Sequence, residues 1–255
     1  MARRFSAPYQ SEPFSGLATW ARNLAVFSVV AVLVSILIVR FGFLEMKPAL
    51  ATFFGALGLA GLSILIGLAG FAAIWQNGTR GMSRILLAFL INGIILAYPA
   101  YLAWQYRKLP PIHDITTDTD NPPTFNAILA ARAAERANSV DYRDSQLAQM
   151  QKAAYPDLAS VMTALPVTRT FNEALNVAKS MPGWIVVAFD VDAGLIEASQ
   201  QSRWFRFTDD IVIRVVGDDV GSRVDMRSTS RQGQSDYGVN AARIRAYVAA
   251  LRKRI

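Results

Sequence analysis

The chain has 255 residues, 53% of them hydrophobic, and a formal charge of +7. It contains no cysteine and one histidine, His113. That excludes disulfides, thiolate catalysis and Cys-ligated metal centres, and leaves little for a transition-metal site or a Ser-His-Asp arrangement. The charge is unevenly placed: residues 1–109 hold nine Lys/Arg against two acids, Glu12 and Glu45, whereas residues 110–255 hold seventeen of each sign. A nucleic-acid partner needs clustered positive charge on a soluble face, so none is expected. The surplus flanks apolar segments instead, where it orients a membrane protein and meets anionic headgroups.

Three such segments, about 18–39, 49–75 and 85–104, read as transmembrane helices and make residues 1–109 a membrane domain. In the first, an unbroken apolar run over 24–39 lies between Arg22 and Arg40; extending it toward the N-terminus, with Arg22 snorkelling, gives a full span. The long tail before the run, and the lack of a small-x-small site after it, favour an uncleaved anchor over a signal peptide. The Arg3-Arg4-Phe5 string lies too far from the run for a twin-arginine signal. The second segment carries Gly55, Gly58, Gly61, Gly67 and Gly70, with Ser63 four residues before Gly67. Such spacing lets helix backbones approach closely, and packing against the chain's own helices is expected ahead of a dimer seam. In the third, Asn92 is expected to make an interhelical hydrogen bond and Pro99 to kink or loosen the helix. No segment buries an acid or base in its interior, which argues against transport or a proton relay.

Three crossings place the two ends of the chain on opposite sides. Arg3, Arg4, Arg22, Arg80 and Arg84 lie on the N-terminal side, and Arg40, Lys47, Arg107 and Lys108 on the other. Five against four favours a cytoplasmic N-terminus. In a bacterium the protein would be a multi-pass inner-membrane protein with a periplasmic C-terminal domain.

Residues 110–124 read as a Pro/Asp-rich linker, with Pro110, Pro111, Pro122 and Pro123 holding the chain extended. Asp114, Asp118 and Asp120 lack the glycine and closing Glu of a calcium loop, so a solvated acidic stretch is expected, with His113 on the surface. The soluble domain then covers 125–255. Helices are expected at 124–138 and 144–154. A third opens on a Thr170–Glu173 capping box, with Phe171, Ala174, Leu175 and Ala178 inward. Strands follow at 184–190, which is apolar on both faces and so expected centrally, then at 195–201, at 204–207 running into 210–216, and at 223–231. Alternation puts Ile211, Ile213 and Val215 with Val224 and Met226 on one face, and Arg214, Arg223, Asp225, Arg227 and Arg231 on the other. The faces coincide only if Ile213 opposes Met226 and Val215 opposes Val224, which leaves a turn over 218–221 and sets Arg214 across from Asp225. A last helix over 237–252 has an apolar stripe of Ile244, Tyr247, Val248 and Leu251. The expected fold is therefore a membrane anchor of three transmembrane α-helices plus an α+β domain, a four-stranded antiparallel sheet with helices packed on one face.

Residues 225–244, DMRSTSRQGQSDYGVNAARI, closely follow a pattern of the form D-x-R-S-x-S-R-x-G-x-S-D-x-G-x-N-A-x-R-I. In this the chain resembles the DUF1499 family, and the strands at 183–186 and 196–198 fit as well, so the resemblance covers roughly 155–255. That family is one of unknown function. The resemblance implies a fold, a polar site and an envelope or membrane-associated setting, and no activity.

Physically, the segment is a strand end, a loop made pliant by Gly233 and Gly238, and a helix start whose free N–H groups favour anions. Ser235 or Asp236 is placed to cap that helix. Asn240, one turn before Ile244, points inward and must find partners. The candidate site is Arg227, Ser230, Arg231, Ser235, Asp236 and Asn240, expected as one connected cluster if a bend at Gly233 carries Arg231 round to the helix start. It either holds a ligand or braces the strand–helix junction. The leading expectation is a membrane-anchored envelope protein that binds a small polar or anionic ligand, a lipid headgroup or a partner protein. One alternative is a hydrolase using Asp236 as general base with Ser228, Ser230 or Ser235. Arg227 and Arg231 nearby would oppose the raised carboxylate pKa that role needs. The other is a scaffold assembled through the second span. No cofactor or metal is expected, and the oligomeric state stays open.

Overall fold

The computed structural model describes residues 12–44, 46–142 and 145–255, which fall into two compact units, Met1–Gln105 and Tyr106–Ile255. Arg3, Arg4, Phe5, Glu45 and Asp144 lie outside the described residues.

The first unit is built on α1 (Gly16–Phe41), α2 (Met46–Asn77) and α3 (Met82–Tyr106), each long and apolar enough to cross a membrane. Ser15 caps α1 through its hydroxyl, and Gly42 ends it in the left-handed region. An isolated bridge between Phe14 and Arg80 ties the entry of α1 to the α2–α3 turn, as antiparallel crossings require. Polar glue joins all three helices. The Asn92 side chain donates to Ser63 Oγ at 2.8 Å, and Ser63 donates to the Ala21 carbonyl at 2.8 Å. The glycines divide in two. A Cβ on Gly67 would lie 2.6 Å from the Phe89 ring, and one on Gly70 would press on Leu17 and Ala18, so these two serve packing within the chain. At Gly55, Gly58 and Gly61 a Cβ would meet nothing within 4 Å.

The second unit runs β1 (Asp114–Thr116), α4 (Leu129–Ala134), α5 (Ser145–Ala154), β2 (Val161–Thr163), α6 (Val167–Ser180), β3 (Trp184–Asp190), β4 (Leu195–Gln201), β5 (Thr208–Asp218), β6 (Gly221–Ser230) and α7 (Val239–Leu251). The sheet has six strands, not four, in the order β1-β6-β5-β4-β3, and β2 pairs with β6 beyond β1. The stretch expected as a solvated linker thus supplies a strand. Asp114, Ile115 and Thr116 pair with Thr229, Ser228 and Arg227 and are buried. Three-residue strands are too short for periodicity to reveal, and their burial comes from lying along β6.

The β5–β6 register is the expected one: Ile213 opposes Met226, Val215 opposes Val224, and Arg214 opposes Asp225. Gly194, at φ +66° in the β3–β4 turn, would place a Cβ 2.2 Å from the Val215 carbonyl, and no other residue fits there.

Other expectations are corrected as well. β3 is an edge strand, not a central one; Trp184 is buried, but Ile185, Val187 and Phe189 are exposed and the pairing with β4 shifts register after Val186. The helix expected from Thr170 begins at Val167 behind Pro166. Thr170 lies buried within it, bonding the Leu165 carbonyl and Ser222 Oγ instead of capping. Residues 204–207 are the end of a turn and an irregular connection, not a strand.

The core lies between the sheet and α6/α7, where Phe171, Ile196, Ile211, Ile213, Met226, Ile244 and Tyr247 pack. Tyr247 stacks on Trp184 at 5.5 Å and donates to the Ala174 carbonyl. Helices are not confined to that face. On the opposite face Phe125, Ile128 and Val140 pack on Val212, and buried Glu197 accepts from the amides of Asn126, Ala127 and Ile128 just before α4. The expected helix over 124–138 shrinks to those six residues of α4 because its first turn is drawn onto this carboxylate.

Candidate functional site

β6 carries the motif, and its alternation deals the motif residues to two faces of the sheet. Arg227 and Arg231 point to the face opposite α6 and α7; Ser228 and Ser230 point to the helix face. They do not form one cluster.

Arg227 is fully enclosed. Its Nε and Nη2 donate to the two carboxylate oxygens of Asp114 at 2.9 and 2.7 Å, and further bonds reach the carbonyls of Pro123 and Val140. Its guanidinium lies 5.3 Å from the ring centres of both Phe125 and Tyr142. Burial, with Asp114 next, pushes the Tyr142 phenol well above its ordinary range.

Arg231 stays on the same face and makes no bend toward α7. Its Nε and Nη2 grip both oxygens of Asp210 at 2.9 Å, and Nη1 reaches Glu135 at 2.5 Å. Asp210 also accepts from Arg132 and Ser199, so two cations and a hydroxyl surround one buried carboxylate. The Asp210 bonds hold the Arg231 pKa above its usual value. Asn138 ties this side down, its backbone and side chain donating to the carbonyls of Arg231, Ser230 and Gly233.

On the helix face Asn240 is central. Its Oδ1 accepts from Ser228 Oγ at 2.7 Å and from Arg243 Nη1, and its Nδ2 donates to Ser230 Oγ and to the His113 carbonyl, each at 3.1 Å. Arg243 continues to Asp209 at 2.5 Å and Gln200 at 2.6 Å. Asp236 engages both oxygens on backbone amides at the start of α7, Gly238 at 2.9 Å and Asn240 at 2.8 Å. Burial raises its pKa; those two amides pull it back down, and Asp209 adds to the rise. Ser235 accepts only from the Tyr237 amide, a local turn bond. So Ser230, Asp236 and Asn240 lie together, Ser235 stands at the rim, and the two arginines belong elsewhere.

Composition did not point to Asp114, Asp209, Asp210, Arg132, Arg243 or Glu197. One signal existed: Arg227 and Arg231 share one face of their strand, and Asp209-Asp210 at a neighbouring strand's start offers one acid to each face. Among the described residues no group of three or more His, Asp or Glu is placed to hold a metal. A groove of about 230 Å³ lies between α7 and residues 157–159, bordered by the Asp157–Arg245 pair, and none of the six motif residues lines it.

A family model described as "Protein of unknown function (DUF1499)" matches residues 114–251. The match opens on the first residue of β1 and closes on the last of α7, so the edge strand read as linker belongs to the matched unit. No curated protein matches the chain. A crystal structure of protein CV1439 from Chromobacterium violaceum is similar over 38% of this chain and 91% of its own, at 11% identity and a TM-score of 0.22, too distant to inform the fold.

Proposed function

The chain belongs to the DUF1499 family of proteins of unknown function, and from that premise we propose a membrane-anchored envelope protein whose soluble domain is a rigid, non-catalytic module. It engages lipid headgroups or a partner protein at its surface, and not a small ligand inside the motif. One observation supports this above others: Arg227, Ser230, Arg231, Asp236 and Asn240 all have their polar atoms bonded within the domain. A binding site for a small anion would present donors that lack partners. In this reading the motif is the internal frame that fixes β6 to β1, β5 and α7.

The hydrolase alternative finds one favourable feature, the raised pKa of Asp236. Its carboxylate is bonded to backbone amides, and the Ser228 hydroxyl donates to Asn240 while accepting from Arg243, an arrangement that activates no nucleophile. The scaffold alternative keeps a specific support, since a Cβ at Gly55, Gly58 or Gly61 of α2 would meet nothing within 4 Å among the described residues. There, Gly58→Leu would abolish self-association while leaving the domain folded. The proposed orientation, with the domain periplasmic, follows from the five-to-four charge count.

The test compares stability with phenotype in the full-length chain. Asn240→Ala and Asp236→Ala should lower the unfolding temperature of the domain, and any phenotype should follow the loss of folded protein. Variants of unchanged stability that reproduce the deletion phenotype would restore the ligand-site reading.

A further inference from the structure

The chain leaves α3 through a belt of aromatic residues, Tyr98, Tyr101, Trp104 and Tyr106, and then Arg107 and Lys108. Amphipathic rings followed by basic side chains mark the headgroup level of a bilayer. Tyr106 does not end there. Its ring packs on Tyr237 at 5.3 Å, in the loop that precedes α7. A second contact fixes the same loop to the same connector: the Asp236 amide donates to the Ile112 carbonyl at 3.0 Å. Gly238 is close enough that a Cβ would lie 3.3 Å from Leu109. The motif loop is therefore built against the first residues after the membrane helix.

What that loop shows outward is apolar. Tyr237 is 56% exposed and Val239 50%, on either side of Gly238 and between buried Asp236 and Asn240. Tyr237 also holds φ +53°, a left-handed conformation that a tyrosine rarely adopts. Exposed Arg107 and Lys108 directly follow Tyr106, whose ring packs on Tyr237. We infer that Tyr237 and Val239, with Tyr106, Arg107 and Lys108, form a docking surface for the anionic lipid headgroups of the bilayer that α3 crosses. The rings and the valine enter the interfacial region, and the two cations meet the phosphates. Continuity with the membrane helix, together with charge complementarity, selects the lipid surface as the occupant. The inference rests on the membrane-anchored reading above, and it names which of the two partners the module engages.

The chain's lack of cysteine makes a direct test available. Full-length Val239→Cys protein carries a single environment-sensitive fluorophore and is reconstituted into vesicles of phosphatidylcholine, or of phosphatidylcholine and phosphatidylglycerol at two to one. Doxyl lipids with the nitroxide near the headgroup serve as quenchers. Val220→Cys, at the tip of the β5–β6 hairpin, is the control, lying at the far end of ten-residue β6, about 30 Å away along the strand. The label at 239 should be quenched, more strongly in the anionic vesicles, and the label at 220 should not. Arg107→Gln with Lys108→Gln should lower the docked-to-free ratio by roughly tenfold or more, as should raised salt. Tyr237→Ser, which leaves the anchor untouched, should reduce quenching as well. Equal quenching at 239 and 220, or at 239 in both lipid mixtures, would overturn the inference. Extraction of the protein from vesicles by alkaline carbonate would instead overturn the membrane anchor itself, so the two failures are distinct.

Discussion

Replacing Asn240 with alanine removes the amide that joins α7, β6 and the strand-entry backbone. Four bonds disappear, to Ser228, Ser230, Arg243 and the His113 carbonyl. At a net of about 0.5–1.5 kcal/mol each they would sum to about 2–6 kcal/mol. Not every partner is orphaned. Arg243 keeps Ser228, Asp209 and Gln200, and the His113 carbonyl keeps the Ser230 amide. The loss concentrates on the Ser228 and Ser230 hydroxyls, buried where water does not reach, so the expected cost is about 2–4 kcal/mol. For a unit of this size that lowers the unfolding midpoint by roughly 4–16 °C. Scanning calorimetry of the full chain in nanodiscs reads the shift, with Ser235→Ala, which removes one exposed turn bond, as the near-neutral reference. A change for Asn240→Ala no larger than that for Ser235→Ala would refute the view that this amide is an internal brace.

Arg227→Lys leaves the bidentate partner Asp114 with a point charge and vacates the slot between Phe125 and Tyr142. It should cost about 3–5 kcal/mol, as measured by urea unfolding. Glu197→Ala frees three amides before α4 and should cost about 2–4 kcal/mol, with hydrogen exchange rising at Asn126, Ala127 and Ile128 while β5 stays protected. Asp236 has a folded pKa raised above its unfolded value of about 3.9. Between the two values the native state binds more protons, so this group's contribution falls as pH rises through that window. Stability curves should therefore show the wild-type protein losing ground to Asp236→Asn as pH rises from about 4, and parallel curves would contradict the assignment. A reporter active only outside the cytoplasm, fused after Ile255, should be active; activity of a cytoplasm-only reporter there would reverse the proposed orientation.

The parts of the fold legible in the sequence were those governed by period and turn. The β5–β6 register followed from alternation alone, because a one-residue slip would have put Arg214 and Asp225 among Ile211 and Ile213. The order α6, four strands, α7 was legible for the same reason. β1 and β2 were not: Asp114–Thr116 sits in a proline-rich stretch, and only β6 beside it makes it a strand. Apolar residues on both faces of β3 suggested a central place, yet nothing pairs with its outer edge among the described residues. The site was legible as a set of residues and illegible as an arrangement. Asn240 inward beside Ser228 and Ser230 could be read from helical and strand spacing. That Arg231 would remain beside Asp210 could not, because a flexible Gly233 permitted either course and a distant pair of acids decided it.

The central claim, that the motif is internal frame and not an open site, is tested most directly by native-state hydrogen exchange on the full-length protein. The account predicts that amides of Met226 to Arg231 and of Asn240 to Ile244 exchange only through global unfolding, as slowly as those of Ile211 to Val215 in the core strand. Fast exchange of the motif amides through local opening, while Ile211 to Val215 stay protected, would contradict it.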